Sequence, residues 1–313
     1  MIEMKRYSKM ASIVMENITF NKLPQSRTLH YHTILSVAPF PYMPDLWNSN
    51  NNHLLQFIQN EFNAAHPGIY LILRPMNTQE DFYNLTFLED FLTANDSGYD
   101  IVEIDTVVLG DLVAAGLITP QTYPILPDQI PSDWHPAAGA AVQINQAVYA
   151  FPHLMCAYFL FTHGNPADKR EFLSLEELER YLNNSYYVYN IPNLTYGPHR
   201  LVGNLNSSWD ISAYVFRRNL SPNKLAAAQA FVKFMATPRM QAAVAGNEAF
   251  SAQMPLRYLL LISKSASNEP LLVSNRFYQD YFRNLYGYTY PNTGLLSARG
   301  QLAPAIRKYI KEE

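Results

Sequence analysis

Apolar residues recur along the chain in two rhythms. Residues 33–37 run as an apolar strand, whereas Leu54, Phe57, Ile58 and Phe62 fall at i, i+3, i+4 and i+8 and form one stripe of an amphipathic helix. His66, Pro67 and Gly68 end that helix. Residues 69–73 give the next strand, 80–94 the next helix and 99–105 a third strand. A short helix over 107–115 follows, closed by Gly116 in the C′ position. This alternation of strand and helix predicts a parallel sheet with helices on its faces.

The middle of the chain turns on residues 148–162, rich in β-branched and aromatic side chains. Pro152 removes a ladder donor, so two short strands broken at Pro152 are expected, with Cys156 near the start of the second. On a period of two, Cys156, Tyr158 and Leu160 share one face of that strand. Ser174 and Glu177 form a capping box that opens a helix to about residue 182, and 186–189 reads as a tyrosine-rich strand. A polar loop at 204–209 precedes a short strand at 213–216. Ser221 and Pro222 then start a helix with the apolar stripe Leu225, Ala228, Val232 and Met235, ended by Pro238. The remainder, through the aromatic run at 277–290, reads as mostly helical closure.

Composition narrows the function. Tyrosine is abundant, 22 residues against 12 glycines, and suits clefts that hold flat heterocycles. Neither G-x-G-x-x-G nor a Walker A pattern is present. A net charge of −3 without a basic stripe argues against nucleic acid as a partner. The single cysteine, Cys156, excludes an internal disulfide. Residues 1–30 hold no apolar run of signal-peptide length and no later segment approaches a membrane span, so a cytoplasmic protein is expected on sequence. His30 and His32 share a parity, but two ligands do not make a metal site, and both are read as surface. No cofactor is expected.

Each candidate for chemistry has a plainer reading beside it. Cys156 is either a small buried hydrophobe or a thiol on a cleft wall. Asp105 suits the N-cap of the helix after it, and a cap can also serve a ligand. Tyr42 lies in a loop stiffened by Pro39, Pro41 and Pro44 at the carboxyl end of the first strand, where α/β sheets place ligand contacts. Asp210 reads most simply as a turn residue beside Trp209. His153 precedes Cys156 by three positions, which in a regular strand puts the two on opposite faces unless Pro152 bends the chain.

Four pieces in order, residues 99–105, 116–118, 148–152 and 226–238, resemble the group II periplasmic solute-binding fold. Within it, Phe40-Pro41-Tyr42-Met43-Pro44-Asp45, Glu103-Ile104-Asp105-Thr106 and Pro152-His153-Leu154-Met155-Cys156 look like the thiaminase I (thiamine pyridinylase) family. The resemblance implies a two-lobed α/β protein, mostly parallel sheets with helices on both faces and a cleft between the lobes. Residues 29–150 with 217–313 would make lobe 1, and 151–216 a shortened lobe 2 with hinge crossovers. Residues 1–28 would be a poorly ordered extension.

The implied activity is displacement of the thiazole of thiamine by an amine or thiol. Cys156 matches the nucleophile, Asp105 a substrate-holding carboxylate, and Tyr42 and Phe40 aromatic faces of the cleft. Thiamine and a nucleophilic co-substrate would be the partners of a monomer free of membrane and nucleic acid. The family also implies secretion or a periplasmic location. Family members carry a longer second lobe with a glutamate acting as acid/base toward the cysteine. No segment here supplies that glutamate, and Asp210 is the nearest carboxylate. A binding protein without catalysis, and a truncated inactive relative, stand as alternatives.

Overall fold

Strand β1 (Thr33–Ala38) lies inside a six-stranded sheet that organises the computed structural model. The structure describes residues 31–39, 53–75, 83–94, 98–121, 132–156, 158–163, 187–190, 199–204, 210–251, 253–254, 256–257, 259–275, 278–279 and 293–312. After β1 come α1 (His53–Ala65), β2 (Ile69–Leu73), α2 (Leu85–Thr93), β3 (Ile101–Asp105), a 3₁₀ turn (Thr106–Val108), α3 (Leu109–Ala114) and α4 (Pro136–Ala141). The hairpin β4 (Gln143–Ile144) and β5 (Ala147–Val148) leads into β6 (Phe151–Cys156), β7 (Tyr158–His163), β8 (Tyr187–Asn190), β9 (His199–Asn204) and β10 (Asp210–Phe216). The chain closes with α5 (Pro222–Met235), α6 (Pro238–Ala245), β11 (Leu260–Leu261) and α7 (Leu295–Glu312).

The strand order is β11-β6-β10-β3-β1-β2. Strands β2, β1 and β3 pair in parallel, as the alternation of strand and helix predicts. Strand β10 enters antiparallel between β3 and β6, because the chain returns to the sheet from an excursion. That excursion builds a second, three-stranded antiparallel sheet in the order β8-β7-β9.

All five residues of β3 are buried, so the sheet is covered on both faces at its centre. Helix α1 packs on β2 and α5 on β1. The buried residues of α1 are Leu54, Leu55, Ile58 and Phe62, each worth about 1.5–3 kcal/mol of burial. Phe62 meets Phe231 of α5 edge-on, with 5.6 Å between centroids, and Phe231 meets Tyr214 of β10 at 5.4 Å.

Several boundaries differ from the sequence reading. Helix α2 starts at Leu85, because the Asn84 side chain accepts from Thr86 N and Phe87 N and caps it there. Pro238 opens α6 instead of only ending α5. It stands at the first helical position behind the Thr237 cap, whose side chain accepts from Met240 N. Leu225 is 38% exposed, and the buried stripe of α5 is Ala227, Ala228, Phe231, Val232 and Met235. Gly116 does close α3: its φ is +67°, Leu117 N bonds Leu112 O, and Gly116 N bonds Val113 O, a Schellman motif. Strand β9 has no counterpart in the sequence reading. Residues 1–28, the helix expected at 174–182 and most of the aromatic run at 277–290 lie outside the described residues.

Candidate functional site

Three parallel-running strands, β1, β3 and β6, end at the same edge of the large sheet, and β10 begins there. That edge gathers the chemistry. Cys156 is the last residue of β6, and Asp210 the first of β10. The two are register partners in the antiparallel ladder. Asp105, the last residue of β3, is the register partner of Ser212, two residues along β10 from Asp210.

The strand pair departs from the sequence reading in two places. Residues 151–156 form one continuous strand through Pro152 and β7 begins at Tyr158, so Cys156 ends the first strand and does not start the second. Asp210 is a strand residue and not a turn.

Pro152 is accommodated by an irregularity. Ala213 pairs with Pro152 but Ser212 pairs with Leu154, leaving His153 as an extra residue in β6. A bulge spares the ladder the donor that proline lacks.

Both carboxylate oxygens of Asp105 are engaged. Its Oδ1 accepts from Val107 N at 3.0 Å and caps the 3₁₀ turn, as expected for an N-cap. Its Oδ2 accepts from the Tyr83 hydroxyl at 2.8 Å. It is 8% exposed. Beside it, the buried Thr106 hydroxyl has no hydrogen-bond partner among the described residues. Phe40 and Tyr42 fall outside the described residues.

Sequence reasoning missed a buried polar cluster beneath the edge. Glu103 and His153 are both essentially inaccessible, and His153 Nδ1 lies 2.8 Å from Glu103 Oε1. Ser212 Oγ donates to the same oxygen at 2.5 Å. The Tyr214 ring stacks on the His153 imidazole at 4.8 Å, with its hydroxyl 2.9 Å from Nδ1. A nitrogen that donates to Glu103 has no lone pair left for the phenol, so the Tyr214 proton goes to Glu103 as well. Burial first, then the Glu103 charge and that hydrogen bond, push the Tyr214 hydroxyl well above its ordinary pKa.

A signal for this cluster is visible in the sequence. Polar residues stand at every second position, Glu103 and Asp105 on one strand and Asp210, Ser212 and Tyr214 on the next. Among the described residues no group of His, Cys, Asp or Glu is suited to a metal, and no helix is long and apolar enough to cross a membrane.

No family model and no curated protein matches this chain. Solved structures do. Clostridium botulinum thiaminase I in complex with thiamin is similar at 12% identity and a TM-score of 0.64, over 88% of this chain and 100% of that one. A eukaryotic thiaminase-I bound to the thiamin analogue 3-deazathiamin is 17% identical with a TM-score of 0.58, over 87% and 99%. A maltodextrin binding protein from L. casei is 11% identical with a TM-score of 0.60, over 88% and 92%. At these identities the likeness shows the fold, a type II solute-binding architecture that serves both thiaminase I and sugar-binding proteins.

Proposed function

We propose that this protein is a thiaminase I-like transferase that displaces the thiazole of thiamine through Cys156. The observation that carries the reading is the register pairing of Cys156 with Asp210 at the edge where Asp105 also ends its strand. A cysteine needs a group that takes its proton before it can attack. The register pairing supports Asp210 in that role, in place of the glutamate of the thiaminase I family.

In this mechanism Asp210 takes the thiol proton and the Cys156 thiolate adds to a carbon of the aminopyrimidine ring. The ring nitrogen that receives the electron pair takes that proton from Asp210. That pair then returns through the ring, and the thiazole leaves the methylene as a neutral molecule with the electrons of its C–N bond. An amine or thiol next adds to the exposed methylene and gives up its proton to the base. The ring expels the thiolate, which takes the proton from the ring nitrogen, and this restores the aromatic pyrimidine and the free thiol. Asp105 would hold the positive end of the substrate or its amino group, and Phe40 and Tyr42 would offer ring faces to it.

A second reading, a binding protein that holds a small molecule without turning it over, is favoured by the sugar-binding proteins that share the fold. Mass spectrometry of the protein with thiamine and a pyridine or aniline acceptor separates the two. Thiazole released by the wild type and not by Cys156→Ser supports the transferase. Thiamine retained without any thiazole released supports the binding protein.

A further inference from the structure

We propose that the buried Glu103–His153–Tyr214 cluster is a positioning device for Cys156, acting by locking the bulge at His153. The proposal rests on the reading of Cys156 as the functional thiol. Side chains in a strand alternate between faces, so one residue more or less moves every following position to the other side. Without the extra residue at 153, the end of β6 would meet β10 with its faces exchanged. The bulge therefore decides which face of the sheet the end of β6 presents beside Asp210.

A bulge is held only if something fixes its extra residue, and here both halves of His153 are held. The imidazole is clamped by Glu103 and stacked on Tyr214. The main-chain carbonyl accepts from Gln241 Nε2 of α6 at 3.3 Å. Gln241 is itself buried, and its Oε1 accepts from Ile262 N at 3.1 Å, just beyond β11 on the far side of β6. Three elements thus converge on His153, β3 through Glu103, β10 through Tyr214 and α6 through Gln241, while Ser212 bonds Glu103 and Leu261 of β11 is the register partner of the adjacent Leu154.

An apolar core would not need these groups. Replacing a buried polar network by well-packed apolar residues is often neutral or stabilising, so a network at this point is better explained by the conformation it specifies. The groups facing His153 are Glu103 and Tyr214, with Asp105 next along β3. From α5, Phe231 covers Tyr214. His153 Nε2 is buried and has no partner among the described residues.

Cys156 is the only cysteine, so thiol alkylation reads this one position in the whole protein. The test is the rate of iodoacetamide labelling between pH 6 and 10, followed by mass spectrometry, for wild type, Glu103→Gln, Tyr214→Phe and His153→Leu. Leu88→Ala, in the core of α2 and away from the cluster, serves as the stability-matched control. Tyr214→Phe, which removes only the hydroxyl, keeps the test decisive should His153→Leu not fold. We expect the cluster variants to change the labelling rate at least tenfold and to move its pH midpoint. The control should keep both, and His153→Gln, which can still donate to Glu103, should restore part of the wild-type profile.

A reactive wild type whose cluster variants label as the control does overturns the positioning role alone. A wild-type thiol that is inert and becomes reactive only in the cluster variants keeps the positioning role and removes the transferase. A thiol inert in every variant overturns both.

Discussion

The Lys224 ammonium lies 2.7 Å from one oxygen of Asp100 and 2.8 Å from the other, joining the entrance of β3 to the first turn of α5. Asp100 is nearly fully buried, takes the amide of Ser36 in β1 at 3.0 Å, and has the Arg217 guanidinium at 3.6 Å. One carboxylate therefore ties together β1, the start of β3 and α5. Asp100→Ala leaves a largely buried Arg217 and the Ser36 amide without it, and should destabilise the protein by about 3–5 kcal/mol. Lys224 is more than a third exposed on its side chain, so Lys224→Met should cost far less, about 1 kcal/mol. Urea denaturation of both variants checks the order.

The proposed transferase reaction places its chemistry at the edge where Cys156 and Asp210 are register partners. Cys156→Ser should abolish thiazole release, and Asp210→Asn should lower it by about 10²–10⁴-fold, the usual contribution of a positioned acid/base. Both variants should unfold close to the wild-type temperature. A loss of melting temperature that parallels the loss of turnover would count against a chemical role.

Acid stability should depend on Asp133. Burial raises its pKa, but hydrogen bonds from Ser263 and Ser265, the Ser265 amide and the charge of Lys264 outweigh this and hold the carboxyl below its ordinary range. A depressed folded-state pKa stabilises the protein above the unfolded value near 3.8, and that stability is lost as pH falls through the folded value. Melting temperatures measured from pH 6 to 2.5 should fall less steeply for Asp133→Asn than for wild type.

Tyr214 governs the alkaline end with the opposite sign. Its raised pKa keeps its full stabilising contribution below the ordinary value of 10.0 and loses it as pH climbs toward the folded value. Tyr214→Phe should be less stable at neutral pH yet flatter above pH 10, which thermal melts in alkaline buffer would reveal.

The last helix is held at its start. Asp111 in α3 accepts from the amides of Gly294 and Leu296, the latter at 2.9 Å. Those are the orphan donors of a helix N-terminus. Asp111→Ala should cost about 0.5–2 kcal/mol and speed proteolytic cleavage around residues 293–312, where Leu302, Ile306 and Tyr309 are already exposed.

What could be read from the chain alone divides by the range of the forces involved. The Leu54-Phe57-Ile58-Phe62 stripe, the Ser221-Pro222 start and the Gly116 stop are local signals, and each matches an element of the structure. Pro152 and Pro238 were legible as interruptions only. Whether a proline ends an element, opens one or sits in a bulge depends on the neighbour that supplies or omits a partner, and for Pro152 that neighbour is β10. The pairing of Cys156 with Asp210 was out of reach for the same reason, since it joins positions far apart in sequence through a register that only the assembled sheet fixes. His153 is the sharpest case. Strict alternation would fix its face from its place in the strand, and as the extra residue of a bulge it escapes that rule.

The position of β10 has a consequence for how the chain is made. β3 and β6 are neighbours in sequence order within the large sheet, yet their backbones do not pair, because β10, synthesised last of the three, lies between them. Until residue 216 has left the ribosome, two central strands wait with open edges, and β6 has no partner until β10 or the still later β11 arrives. Such late, long-range closure slows folding and leaves bare strand edges available to other chains in the meantime. A nascent chain arrested before β10 should therefore be a client of chaperones, and the heart of the sheet, including the edge that carries Cys156, is among the last parts of the protein to exist.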